Sequence, residues 1–152
     1  MSEERALAAV RASGIEHRVV RHGHVGSLAE AAAARGVEPS SLFKSMVVRR
    51  GDDDFLFVLV PGDREIAWPK LRALLGVKRM SMPDADTALA VTGYARGTIT
   101  PFGSTRTWPV VVDASALGRE ISVGAGASGV GIVASGDDVV RVLDAQVADI
   151  ST

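Results

Sequence analysis

Lys44 is the side chain whose type and setting carry the most chemistry. It stands in Leu42-Phe43-Lys44-Ser45-Met46-Val47-Val48, whose alternation predicts a β-strand with Leu42, Lys44, Met46 and Val48 on one face. Burying an ammonium among such neighbours costs on the order of several kcal/mol unless a partner is supplied. Either the stem carries the head to solvent, or the head lines a pocket for an anionic or carbonyl-bearing ligand. A second candidate is the segment Thr92 to Gly103, which combines Gly93, Gly97 and Gly103 with Tyr94, Arg96 and Pro101. Loops of this length bind or cover something, or form an Ω-loop held by their own packing. A glycine such as Gly97 can present its main-chain N–H to a carbonyl or oxyanion with no side chain in the way.

Other patterns lead elsewhere. Gly124-Ala125-Gly126-Ala127-Ser128-Gly129 matches the dinucleotide-binding glycine pattern, but that motif needs a helix directly after it to hold a pyrophosphate. Val130-Gly131-Ile132-Val133 follows instead, so a glycine-rich turn between two strands is expected. Ser128 lacks the spacing of a nucleophile elbow. His17, His22 and His24 sit in no metal-ligand frame, and Asp52-Asp53-Asp54 lacks the calcium-loop pattern. No cofactor and no metal are expected. Trp68 and Trp108 read as packing residues.

The elements that must position these groups follow from caps and periodicity. A helix is expected over Ser2 to Ala12, stopped by Gly14, and a short edge strand over Ile15 to His22. Ser27-Leu28-Ala29-Glu30 is a capping box that opens a helix closed by Gly36. The lysine strand, the acidic turn and Phe55 to Val60 form a hairpin. Trp68 to Leu75 is a helix with Pro69 in its first turn, and Lys78 to Met82 a further strand. Asp84 caps a short helix to Leu89; strands follow at Pro109 to Asp113, Ile121 to Gly124 and Val130 to Ala134. Asp137 caps a last helix through Leu143. The spacing is too irregular for a doubly wound sheet, so the class is α+β. The expected architecture is a mixed sheet, curled or closed into a barrel, with helices packed outside.

The 152 residues make one domain, 1–152, with a net charge of −1 and no cysteine. That total leaves no broad electrostatic footprint for nucleic acid, so any RNA contact must come from a local patch. The charged start runs into an amphipathic segment, unlike a signal peptide, and no apolar run approaches membrane-spanning length. A soluble, cytoplasmic protein without membrane contact is expected.

Taken together, these pieces resemble the YbaK family, the prolyl-tRNA-synthetase-associated editing domains. The resemblance rests on Glu30-Ala31-Ala32, Phe43-Lys44-Ser45, Gly93-Tyr94, Gly97 through Pro101-Phe102-Gly103, Pro109-Val110-Val111-Val112-Asp113 and Val123-Gly124-Ala125-Gly126, in that order and spacing. It implies hydrolysis of the aminoacyl ester of mischarged tRNA, carrying a small amino acid such as alanine or cysteine on proline tRNA. The tRNA 3′ end, and a synthetase as docking partner, are the partners it implies. Lys44 would be the residue most closely tied to activity and Gly97 would hold the aminoacyl group by its backbone. Phe43, Ser45, Met46, Tyr94, Thr98, Ile99, Pro101, Gly124 and Gly126 would line the substrate site. Many family members carry serine at the position of Gly124, Lys-Arg at Ala127-Ser128 and threonine at Ser45. Arg49, Arg50, Arg64, Lys70, Arg72, Lys78 and Arg79 either form the local basic patch that the neutral total hides or are solvated surface charge. The rival reading is a catalytically silent module that binds tRNA ends or a small ligand.

Overall fold

The computed structural model describes residues 2–152. Helix α1 (Ser2–Ser13) leads into β1 (His17–Arg21), α2 (Leu28–Arg35) and the hairpin β2 (Phe43–Gly51) and β3 (Asp54–Pro61). Then come α3 (Trp68–Leu75), α4 (Ala85–Thr92), β4 (Val110–Asp113), β5 (Glu120–Gly124), β6 (Val130–Ser135), α5 (Gly136–Val142) and β7 (Gln146–Ala148). One sheet has the order β1-β6-β5 and is antiparallel. The other has the order β2-β3-β4-β7, antiparallel at the hairpin and parallel thereafter. The α+β class and the flanking helices are as expected; the barrel is not. Among the described residues the two sheets share a single parallel bridge, Leu42 to Ser122, and no ladder joins their outer edges.

Strand β3 explains the layering. Phe55, Phe57 and Leu59 enter the larger core, with Val112, Ile121, Val123, Ile132 and residues of α1. Leu56, Val58 and Val60 enter the smaller one, with Val48, Leu71 and Ile150. Burial on both faces is what its unbroken apolar sequence demands of a central strand. Each such side chain contributes about 1.5–3 kcal/mol on leaving water.

The capping expectations hold for α2, where the Ser27 hydroxyl accepts from Glu30 N–H. The reciprocal bond lands one residue early, Gly26 N–H donating to Glu30 Oε2 at 2.7 Å. Asp84 accepts from Thr87 N–H as anticipated. Two expectations fail. Lys78 to Met82 is not a strand: only Ser81 bridges, to Arg49, and Pro83 ends the approach. Helix α5 is capped by Ser135 rather than Asp137, whose carboxylate instead accepts from Gly118 N–H at 3.1 Å.

Candidate active site

Strand β2 lies at the edge of its sheet, and its free edge is covered only at its ends. Leu42 bridges to Ser122 at one end; Arg49 exchanges two main-chain hydrogen bonds with Ser81 at the other. Between them no strand among the described residues pairs with it. Because the Arg49 amide and carbonyl face this edge, alternation turns those of Val47 and Ser45 the same way. A cavity of about 380 Å³ fills this gap, walled by residues 42–47, by Arg96, Gly97 and Ile99, by Gly124, and by Met82, Pro83, Ala88 and Arg35.

Lys44 resolves its two alternatives by taking part of each. It is one of the residues lining the cavity, its side chain is 29% exposed, and Nζ lies 3.2 Å from the well-exposed Glu65 carboxylate. So open a pair is worth about 0–1 kcal/mol, and an incoming oxygen can displace Glu65 at little cost. The alternation holds: Met46 and Val48 pack with the smaller core, Phe43 and Val47 with the larger. Ser45 faces the cavity edge with its hydroxyl buried and without a hydrogen-bond partner among the described residues. A buried hydroxyl left unmet by the fold invites a ligand atom.

The glycine loop is held from both sides. Tyr94 is fully buried and donates its hydroxyl to Phe102 O at 2.6 Å, while Trp108 Nε1 donates to Val91 O at 2.8 Å. Arg106 stacks on Trp108 and pairs with Asp53, tying the loop to the hairpin tip. Arg96 Nη2 donates to Pro83 O at 2.7 Å, fixing a turn closed by Thr98 N–H to Ala95 O. Gly97 is the third residue of that turn with φ of 89°, the left-handed value a type II turn requires there. Its N–H makes no hydrogen bond among the described residues, and a Cβ built on it would meet nothing within 4 Å. It therefore offers a free donor at the cavity wall.

Of the expected substrate contacts, Phe43, Ser45, Met46, Ile99 and Gly124 stand on this cavity with Lys44 and Gly97. Tyr94, Thr98, Pro101 and Gly126 do not. Tyr94 is a core residue; Thr98 bonds its own turn at Ala95 O; Gly126 packs beneath the Tyr94 ring. Pro101 accepts from Ser104 N–H within the loop. Arg35, Arg96, Met82 and Pro83 were not anticipated. For Arg96 a signal existed, its place beside Gly97. The glycine-rich turn joins β5 to β6 in antiparallel register with no helix after it, which removes the dinucleotide reading. The described residues include no cluster of three or more His, Asp or Glu placed to hold an ion.

A second concavity, of about 480 Å³, gathers Arg49, Arg50, Arg72, Lys78 and Arg79. Arg64 and Lys70 turn away to Ser151 and Asp149, so the basic patch is smaller than the sequence suggested. No helix among the described residues is long and apolar enough to cross a membrane.

An edge strand carrying a lysine, faced by a loop with a free glycine amide, frames one candidate site. Residues 22–142 match the family model described as an aminoacyl-tRNA editing domain, and the chain belongs to that family. It is similar to an Enterococcus faecalis protein provisionally named a Cys-tRNA(Pro)/Cys-tRNA(Cys) deacylase, EbsC. The two are 28% identical over 122 residues, which is 80% of this chain and 74% of that protein. A proline–tRNA ligase of Thermosipho melanesiensis is 34% identical over 88 residues, 58% of this chain but only 15% of the ligase. A solved structure, provisionally described as a trans-editing enzyme for prolyl tRNA synthetase, superposes with a TM-score of 0.90 at 26% identity. That superposition covers 99% of this chain and 97% of the other.

Proposed function

We propose that this chain is a trans-editing hydrolase that removes a small amino acid from mischarged tRNA, proline tRNA being the first candidate. The observation that carries the reading is the convergence of Lys44, Gly97, Ser45 and Gly124 on one cavity in an editing-domain fold. Water adds to the ester carbonyl carbon, the bond to the ribose oxygen breaks, and free amino acid and tRNA leave. An aminoacyl ester is already activated, so positioning and oriented dipoles supply much of the needed rate. Gly97 N–H donates to the oxygen that gains charge, with the outward amides of β2 beside it. Lys44 leaves Glu65 to bind and orient the terminal nucleotide.

The basic concavity lined by Arg72, Lys78 and Arg79 fits the phosphate backbone leading to that end, which gives RNA a local contact on a chain of net charge −1. The work of such an enzyme lies with tRNA in the cytoplasm, and a synthetase is a fitting docking partner. The test is a panel of charged tRNAs incubated with the protein. Loss of alanine or cysteine from proline tRNA supports the reading. Binding of every tRNA with release from none would favour a silent module.

A further inference from the structure

Arg35 is the one arginine among the described residues that is buried, at 9% exposed, and it has no carboxylate within ion-pair distance. It ends α2, where a cation would ordinarily sit in solvent and favour the helix dipole. Instead the side chain reaches across to the β5–β6 pair. Nη1 donates to Ser122 Oγ at 3.2 Å and Nε approaches His22 Nε2 at 3.5 Å. Ser122 donates its own O–H to Ile132 O at 2.9 Å, so its oxygen is free to accept. The guanidinium lies over Gly131, where an added Cβ would come within 2.6 Å of Cζ. A glycine at 131 thus makes the socket. Two partners do not saturate a group with five N–H donors, and burial alone holds its pKa below the ordinary guanidinium value. Arg35 is also one of the residues that line the cavity bordered by Lys44 and Arg96.

The geometry points to Arg35 as an anion-binding residue of this cavity, built to hold a phosphate of the nucleic acid whose end occupies it. A carbonyl would not require a full buried charge; a phosphodiester matches the planar fork of donors and supplies the missing counter-charge. The identity of the phosphate as that of tRNA rests on the editing reading, whereas the anion site itself does not. Arg35 contacts the phosphate and no reacting atom, so it is a binding residue.

The experiment compares binding of adenosine 5′-monophosphate and adenosine by calorimetry to the wild type, Arg35→Met, Arg35→Lys and Gly131→Ala. The wild type should bind the monophosphate at least tenfold more tightly than adenosine. Arg35→Met should lose that advantage, and Gly131→Ala should lose it with the charge retained because the guanidinium is displaced. Arg35→Lys should keep part of it, and serves in place of Arg35→Met should the latter not fold. With charged tRNA, Arg35→Met should raise KM about tenfold and leave kcat within twofold. No preference for the monophosphate in the wild type, or an unchanged preference in both Arg35→Met and Gly131→Ala, overturns the site. Failure of the wild type to deacylate any tRNA, with the Arg35-dependent preference intact, removes the editing reading and leaves the anion site standing.

Discussion

Replacing Gly97 with alanine separates a main-chain role from a folding role. The left-handed φ of 89° costs an L-residue about 1–2 kcal/mol, and the lower entropy of the unfolded alanine chain offsets about 0.4–1 kcal/mol. No steric term adds to this, since a Cβ there meets nothing within 4 Å. The net loss is about 1 kcal/mol, which lowers Tm by about 2–4 °C in a domain of this size. The chemical effect is larger. A methyl group at the cavity wall, or a turn relaxed out of the left-handed region, takes the free N–H from its place, and one oxyanion donor is worth about 100-fold in kcat. Gly124→Ala is the control for stability: its φ is not positive and its Cβ would rest 3.8 Å from Ile99 O, so Tm should hold or rise. The assay pairs calorimetric melting with single-turnover deacylation. Gly97→Ala melting 2–4 °C lower with wild-type turnover would refute the assignment of that amide to the reacting carbonyl.

Tyr94→Phe removes the hydroxyl that Phe102 O accepts from at 2.6 Å and leaves a buried carbonyl unpaired. It should cost about 1–3 kcal/mol by urea denaturation, with specific activity of the folded fraction retained. Arg72→Glu with Arg79→Glu should weaken tRNA binding and flatten its salt dependence, measured by filter binding between low and physiological salt. Burial pushes the Asp113 carboxyl up, but hydrogen bonds from Ser115, Ile150 and Ser151 outweigh it and hold the carboxyl below the usual aspartate range. Its depressed folded value means the stability it contributes is present above the unfolded pKa of about 3.9 and is lost as pH falls through the lower folded one. Asp113→Asn should therefore flatten the acid limb of the stability profile below about pH 4, read by chemical denaturation at a series of pH values.

Local signals reached much of this fold. The hairpin followed from two apolar runs around an acidic turn, and α3 from Pro69 and Gly76 at its ends. The cavity loop announced itself by its glycines, and Lys44 by its misfit with Leu42 and Met46. What stayed hidden depends on distant partners. Strand β7 is three residues long and is defined by its pairing with Val111, Val112 and Asp113. The cap of α5 moved from Asp137 to Ser135 because Gly118 claims the aspartate and β6 runs on to residue 135. Arg35 has the local setting of an ordinary last-turn cation, and nothing near it in the chain reveals the socket left by Gly131, nearly a hundred residues on. Tyr94 and Gly126 carry the marks of a binding segment yet serve to hold it, a distinction that only packing makes.

The Lys44 ammonium is proposed to act within the cavity on a tRNA-borne ester. Single-turnover deacylation of alanine- or cysteine-charged proline tRNA by Lys44→Met, with tRNA affinity measured in parallel, tests it most directly. The rate should fall at least 100-fold in a protein whose melting temperature stays within a few degrees of wild type, Lys44 being only weakly paired to Glu65. A folded Lys44→Met protein that releases the amino acid at the wild-type rate would contradict it.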